Sequence, residues 1–431
     1  MNVPKKTFLN NMRIKTCIVF LLWAIISGCY GTRQLSSENL SSIYHQNEHL
    51  FHPEFFVYHY TKDSSQLFVK LNTDEFLKIK QTDDGFKGVF RLECRVVESY
   101  ESSVTLDSTR ADFMIEQTDD QSKTRLYTVN FKVPKQGDFL LSCVIVDLNK
   151  KAAEEFFVNI AHDSRQSRQN FYISPANSEL PLMRYYISAT DSFRVTYRDP
   201  AEKKIFVRYY HRNFPLAAPP FSFDVHDDFN FIPDSTFTIN ADDSVVLNFP
   251  GEGIYHFQVD TTSHEGLSLY RFKGSFPAVT TPEQMIESTR YLTSKKEFEE
   301  INTSTSKKSA VDRFWLDIGG NPDRTRQLIK KYYSRIQESN RHFSSYTEGW
   351  RTDRGMMYII LGPPNFVYKN SVSENWIYGQ PNNALSLNFF FTKVNNPFTD
   401  NDFTLSRAPI YENSWYRAVD LWRQGRVYND F

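Results

Sequence analysis

Short runs of aromatic and β-branched residues, separated by turn residues, fill the sequence from residue 53 to about residue 277 and limit the possible folds more than any other feature. Examples are Phe55 to Tyr60, Leu67 to Leu71 and Val89 to Val97. Runs of this length and composition are typical of β-strands. The pattern predicts a mainly β fold for this region, with a hairpin turn at Asp83-Asp84-Gly85.

Two segments of the β region repeat each other at a spacing of 116 residues. The matching residues are Val133-Pro134, Gly137, Phe139, Leu141, Cys143 and Ile145 in the first, and Phe249-Pro250, Gly253, Tyr255, Phe257 and Val259 in the second. In each, Pro and Gly form a turn and alternate residues are then apolar, as in a strand that enters a two-layer core. The spacing is near the roughly 100 residues of an immunoglobulin-like β-sandwich and predicts two in tandem, at 52–162 and 163–278. The alternative is a chance recurrence of a common turn.

Cys94 and Cys143 both lie in alternating apolar runs, so a period of two places both sulfur atoms on buried faces. A disulfide between them is one prediction, since an oxidising compartment would favour it. Two buried free thiols are the other, because unpaired cysteine packs well as a small hydrophobic residue.

After Pro277 the apolar residues recur at helical spacing. Asn321, Pro322 and Asp323 form a helix start, which predicts a helix to about His342. A second helix is predicted over Ala310 to Leu316, with Phe314 and Trp315 facing inward. The complete fold prediction is two tandem immunoglobulin-like β-sandwiches followed by an α+β domain at 279–431.

The last 150 residues contain Gly349-Trp350-Arg351-Thr352-Asp353 and several ordered companions, and they resemble the GWxTD-domain proteins of Bacteroidota and related bacteria. The companions are Arg354-Gly355, Met356 to Leu361, Gly362-Pro363-Pro364-Asn365, Trp376-Ile377-Tyr378, Phe314-Trp315-Leu316 and Trp415-Tyr416-Arg417. The resemblance implies a lipoprotein signal and β-rich upstream domains. It implies no established reaction.

The motif is predicted to form a structural corner. Gly349 would permit a backbone shape that other residues resist, and Thr352 with Asp353 would bond nearby backbone amides. Met356 to Leu361 would then be a buried strand, followed by strands at Trp376 to Tyr378 and Leu385 to Phe391. A binding role for Trp350, Asp353 and Arg354 is the alternative.

The first 28 residues have the pattern of a secretory signal peptide, with Lys5, Lys6, Arg13 and Lys15 before an apolar run from Cys17 to Ile26. The run is shorter than the roughly 20 residues that cross a bilayer. Either Met1 or Met12 would serve as the start. The run ends in Ile26-Ser27-Gly28-Cys29, which resembles the bacterial lipobox and implies lipidation of Cys29.

The region 29–51 is polar and is predicted to be a tether. Tyr30 to Gln34 includes no acidic residue, whereas surface-export signals of Bacteroidota lipoproteins resemble acidic clusters at this position. The expected location is therefore the periplasmic side of the outer membrane, with the membrane contacted through the lipid.

Catalytic patterns are sparse in the chain. His45-Gln46-Asn47-Glu48-His49 fits the H-x-x-E-H pattern of inverted zinc peptidases, which His52 and His59 could supplement. This match lies in the predicted tether, so solvent-exposed histidines are expected there, with no metal, no cofactor and no catalytic residue.

Charge and composition limit the classes of function that this protein could have. The 40% hydrophobic and 23% charged residues are typical of a globular chain. The 50 Lys and Arg nearly cancel the 51 Asp and Glu, which argues against a nucleic-acid partner. The sequence therefore predicts a non-enzymatic, lipid-anchored envelope protein that contacts other envelope proteins. A glycan-binding lipoprotein that uses exposed Tyr and Phe of the sandwiches is the alternative, and a zinc peptidase is a remote one.

Overall fold

The computed structural model describes residues 35–45, 49–80, 85–116, 123–133, 136–162, 165–223, 229–241 and 245–428. Over these residues the fold is mainly β, with sandwich-like antiparallel sheets followed by a helical region that carries its own small sheet. This confirms the predicted fold class. The predicted domain limits are tested by nothing further and stay predictions.

The described residues of the first β region form eight strands in two antiparallel sheets, one ordered β1-β2-β6 and the other β3-β4-β7-β8 with β5 on the free side of β4. The strands are β1 Glu54–Tyr58, β2 Ser64–Asn72, β3 Ile79–Lys80, β4 Phe86–Val97, β5 Thr105–Glu116, β6 Thr124–Lys132, β7 Asp138–Asp147 and β8 Ala152–Ala161. Alternate residues of β2, β4 and β7 face a common apolar core. The predicted strands at 55–60, 67–71 and 89–97 are confirmed. Lys80 pairs with Phe86, although Asp83 and Asp84 of the predicted turn lie outside the described residues.

The second β region pairs β9 with β10 and orders the other strands β12-β11-β13-β14. The strands are β9 Phe171–Pro175, β10 Phe193–Tyr197, β11 Lys204–Tyr210, β12 Ser235–Asn240, β13 Gly253–Gln258 and β14 Leu267–Arg271. The sequence repeat has a structural counterpart. Gly137 and Gly253 have φ angles of 142° and 143°, a region that favours glycine, and each precedes or begins a core strand.

The C-terminal region combines six helices with the antiparallel sheet β15-β16-β17-β18. The helices are α1 Pro282–Ser288, α2 Lys295–Thr303, α3 Lys307–Gly319, α4 Pro322–Phe343, α5 Asp353–Leu361 and α6 Glu412–Arg423. The strands are β15 Phe366–Lys369, β16 Ser373–Tyr378, β17 Leu387–Lys393 and β18 Phe403–Leu405. None of the described helices is long and apolar enough to cross a bilayer.

Local sequence explains most of these helix ends. The Asn321 side chain accepts a hydrogen bond from Arg324 N, and Pro322 follows it at the first helical position. Both helices predicted in this region are confirmed. Trp315 is fully buried in α3, and Phe314 is partly buried against the same core.

The predicted tether is wrong for its described part. Ser36 N donates to Lys369 O over 2.7 Å and Leu40 N donates to Val367 O over 2.8 Å, so this segment lies along the edge of β15. Tyr44 is 3% exposed and belongs to the C-terminal core. The segment looks polar in sequence because its serine and asparagine side chains bond the backbone of β15, as Asn39 Oδ1 does when it accepts from Val367 N over 2.9 Å.

Candidate functional site

The GWxTD motif joins α4 to α5 through a short 3₁₀ turn, Gly349–Arg351. The first amides of this turn are bonded by side chains from the end of α4 and just beyond it. Gly349 N donates to Ser344 Oγ over 2.8 Å, and Trp350 N donates to Asn340 Oδ1 over 3.2 Å. The turn is thus held against α4 by side chains that satisfy its buried donors.

Glycine is required in the motif for close packing. A Cβ on Gly349 would overlap the carbonyl oxygen of Ser339, and one on Gly355 would overlap that of Gly349. Neither glycine has a φ in the left-handed region. The prediction that Gly349 supplies a special backbone shape is therefore wrong, and the reason for glycine is the contact between the turn and its neighbours.

The predicted strand at Met356 to Leu361 is also wrong, because these are the last six residues of the helix α5. Thr352 begins the helix: its Oγ1 accepts from Gly355 N over 3.1 Å and donates to Gly349 O over 2.8 Å. Every residue of α5 is buried. A helix buried on all sides has no polar face, so its sequence lacks the helical periodicity that would distinguish it from a strand.

Trp350 is 6% exposed, and its environment is internal. The Tyr291 hydroxyl donates to Trp350 O over 3.1 Å, and the two rings meet edge to face. The guanidinium of Arg351 lies 5.2 Å from the Trp350 ring centroid. These contacts support the structural interpretation of the tryptophan.

Asp353 bonds residues distant in sequence instead of the nearby amides that were predicted. Its carboxylate accepts from Arg407 at 2.5 and 3.0 Å and from Leu405 N at 2.7 Å. Asp353 and Arg407 are 6% and 8% exposed as side chains. The pair therefore ties the start of α5 to the end of β18, and the bidentate geometry is a strong form of this interaction.

Arg354 contributes to a second buried charge network. It donates to Glu374 Oε1 over 2.9 Å, and its other terminal nitrogen donates to Asn401. Glu374 is fully buried and also contacts Lys369 Nζ at 2.8 Å. Burial opposes ionisation of Glu374, but Lys369 and Arg354 overcome it and lower the pKa of Glu374 to about 2.

The N-terminal segment closes this network. The Tyr44 hydroxyl donates to Glu374 Oε2 over 2.9 Å, and Trp376 Nε1 donates to the same oxygen over 3.0 Å. Sequence reasoning missed Glu374, Arg407 and Tyr44. A signal for Glu374 exists, since period two places it on the same apolar face of β16 as Trp376, and a carboxylate on a core face requires a partner.

The remaining predicted site residues lie elsewhere. Cys94 and Cys143 pair directly across β4 and β7 as two buried free thiols, with sulfur atoms 2.7 Å apart. Burial raises the pKa of Cys143. The cysteines thus face each other, and their disulfide stays a prediction. Cys29 and the signal peptide lie outside the described residues.

The described histidines of the H-x-x-E-H match bond separate parts of the chain. His45 Nε2 contacts Pro364 O at 3.0 Å, and His49 Nδ1 contacts Glu154 Oε1 at 2.5 Å. Both rings are partly buried, so the expectation that they are solvent-exposed is wrong. Glu48 lies outside the described residues, and among those that are described no group of three His, Cys, Asp or Glu could hold a metal ion.

Two further histidines named in the sequence are also bonded. His52 Nδ1 contacts Glu75 Oε1 at 2.9 Å. His59 is buried between Ser65 Oγ and Ala161 O, and burial lowers its pKa to about 4.

Comparison with curated proteins gives no match. Among solved structures, a crystal structure of red sea bream transglutaminase matches at 8% identity and a TM-score of 0.17. The match covers 54% of this chain and 33% of that one, and it carries no argument about fold or activity. Residues 253–424 match the family model described as the GWxTD domain. This segment includes the motif turn, Asp353 with Arg407, and Arg354 with Glu374. The chain therefore contains a GWxTD domain at residues 253–424.

Proposed function

We propose that the protein is a lipid-anchored, non-enzymatic cell-envelope protein that contributes protein contacts to an outer-membrane assembly. The observation that carries the non-enzymatic part of this proposal is the internal pairing of the motif. Asp353 and the adjacent Arg354 are buried in pairs with Arg407 and Glu374. A general acid or base must reach a substrate proton, and groups paired in this way do not.

The N-terminal segment supports a specific orientation for the anchor. Ser36 bonds the edge of β15, and Cys29 precedes it by seven residues. Seven residues span at most about 25 Å when fully extended. The next residue, Ser37, donates to the Glu101 carboxylate of the first β region. A lipid on Cys29 would therefore hold the edge of β15 and the adjoining end of the first β region next to the membrane.

Lipidation is tested by Cys29→Ala in the native host. Labelling with a clickable fatty acid should disappear, and the protein should leave the membrane fraction. Cys17→Ser is the matched control, because it removes a cysteine from the same leader and should leave labelling unchanged. Equal labelling of wild type and Cys29→Ala would contradict the anchor.

The side of the membrane and the partners need separate measurements. We expect intact cells to protect the protein from added protease, because Tyr30 to Gln34 includes no acid. Ready digestion would place it on the cell surface instead. Crosslinking in the host should recover envelope proteins, and recovery of monomer only, together with turnover of an envelope substrate, would favour an enzyme.

Glycan binding is a second candidate, favoured by a groove on the outer face of β15 to β17. The groove has a volume of about 670 Å³, and its lining contains no charged residue. Tyr368, Asn375, Gln380 and Asn388 supply one ring and three amides, and Asn375 Oδ1 is buried with no hydrogen-bond partner among the described residues. Uncharged amides beside an aromatic ring suit a neutral sugar.

This candidate is tested with an array of neutral oligosaccharides. Binding should be lost in Tyr368→Ala and retained in Tyr416→Ala, which removes a half-exposed tyrosine outside the groove. Absence of any bound oligosaccharide, or equal binding by both variants, would reject the groove as a glycan site.

A further inference from the structure

A cleft of about 370 Å³ lies between the second β region and the GWxTD motif. One wall comes from the ends of β11, β13 and β14, and the other comes from residues 346–351, which lead into the motif turn and include it. Ligand sites are typically clefts with volumes of about 300–1,000 Å³. The cleft is therefore large enough for one or two side chains of a partner.

Arg351, the variable position of the motif, faces this cleft with incomplete pairing. One terminal nitrogen donates to Phe214 O over 2.9 Å. Its nearest carboxylate contacts are 3.8 Å to Glu348 and 4.0 Å to Glu287, beyond hydrogen-bond distance. The neighbouring Asp353 and Arg354, in contrast, have charge-assisted contacts of 2.5–3.0 Å.

Arg271 lies at the end of β14 and lines the same cleft. Among the described residues, Arg271 donates one hydrogen bond, to the carbonyl of Phe272, and has no acidic partner. The Nε atoms of Arg271 and Arg351 are both buried with no hydrogen-bond partner in the described part of the chain. Unsatisfied buried donors are costly, and a ligand that accepts from the terminal nitrogens of both arginines would offset part of that cost.

Charge and aromatic content specify the ligand further. Four basic residues line the cleft against two acidic ones, Glu252 and Glu348. The apolar wall contains Phe214, Phe272 and Tyr346, and the Phe214 and Tyr346 rings meet at 4.5 Å. Burial raises the pKa of Tyr346 to about 12, so this ring remains neutral at physiological pH.

We propose that the cleft binds an acidic peptide segment of a protein partner. A carboxylate of the segment pairs with the guanidinium groups of Arg271 and Arg351, and a neighbouring apolar side chain packs against the aromatic wall. Guanidinium groups match carboxylates in geometry and charge. An acidic sugar fits less well, since its hydroxyl groups would lie against Phe214 and Phe272 without hydrogen bonds.

This inference rests on the protein-contact part of the proposed function and is independent of the lipid anchor. To test it, a random peptide display library is selected for binding to the full-length protein in detergent. Enriched peptides should share an Asp or Glu next to an apolar residue. Affinities of one enriched peptide and its Glu→Gln or Asp→Asn counterpart are then measured by calorimetry.

Three protein variants make the test specific. Arg271→Gln and Arg351→Gln should each lose about tenfold in affinity, as expected for a lost charge-assisted hydrogen bond. Arg208→Gln is the matched control, because Arg208 lies on β11 of the same sheet but does not line the cleft, and its affinity should stay unchanged. Melting temperatures identify any variant that fails to fold. If Arg351→Gln fails to fold, Arg271→Gln still tests the proposal.

Three outcomes would overturn the inference. One is enrichment of peptides without acids, and another is equal affinity in Arg271→Gln and wild type. The third is Arg271-dependent binding of an acidic oligosaccharide with no binding of acidic peptides. None of these outcomes alters the labelling result for Cys29→Ala, so failure here and failure of the anchor are distinguishable.

Discussion

The core of the first β region and the core of the GWxTD domain are stabilised in different ways. The first core consists of aliphatic and aromatic residues and two cysteines, and the buried carboxylate of Asp147 beside it accepts hydrogen bonds from backbone amides. The GWxTD core instead includes buried ion pairs, because Asp353 with Arg407 and Arg354 with Glu374 lie beside its buried aromatic residues. An apolar sheet face requires only the right pattern and volume, whereas buried charges require specific partners. The two regions should therefore respond differently to changes that preserve side-chain size.

Glu374→Gln should give the largest loss of stability. The change preserves size but leaves Arg354 and Lys369 buried without a carboxylate. We therefore expect the free energy of unfolding, measured in urea, to fall by about 4–5 kcal/mol. Leu92→Met in the first core is the matched change of similar volume and should cost less than about 1.5 kcal/mol. Equal losses for the two variants would remove the distinction between the cores.

Trp350→Ala should follow, with a loss of about 3–4 kcal/mol, because it empties a buried aromatic site between α4 and Tyr291. The loss is measured as a lower free energy of unfolding in urea and as a lower abundance of the variant in cells. Tyr416→Ala removes a half-exposed ring from the same domain and should have little effect. Unchanged melting in Trp350→Ala would make the motif an exposed recognition site.

Asp353→Asn should cost about 2–3 kcal/mol. The amide keeps an acceptor for Leu405 N but leaves Arg407 without its charge partner. If the Asp353 carboxylate only accepted hydrogen bonds from turn amides, Asp353→Asn would melt like wild type. Loss of partner recovery with wild-type melting would instead identify Asp353 as a binding residue.

Protonation of one buried histidine, His256, should give the smallest of these effects, and it acts in the second β region. Burial lowers the pKa of His256 in β13 to about 4, from an ordinary value of 6.5. The unfolded chain therefore binds more protons between these values, and stability present above pH 6.5 is lost as the pH falls toward 4.

For His256 this loss is about 1 kcal/mol between pH 7 and pH 5.5. His256→Gln should make the urea midpoint less dependent on pH, whereas Glu374, with a pKa of about 2, stays ionised over this range. A pH dependence identical to that of wild type would show that His256 does not contribute.

Sequence patterns predicted the elements that have one buried and one solvated face. The strands at 67–71 and 89–97 and the helix α4 were found in this way, and the repeat located Gly137 and Gly253 at equivalent turns. Local signals were enough because periodicity records which face is buried, and a cap or turn residue acts within a few positions.

Helix α5 and its charge partners were decided by tertiary structure. Met356 to Leu361 is apolar on every side because the surrounding domain buries all of it, so its sequence contains no period. Asp353 bonds Arg407 across 54 positions of sequence, and Tyr44 bonds Glu374 across 330. Residue patterns were therefore enough to predict the β regions, α4 and the GWxTD motif. The sequence could not show that the motif is a buried connection between α4 and α5, because burial and ion pairing depend on residues that are neighbours only in space.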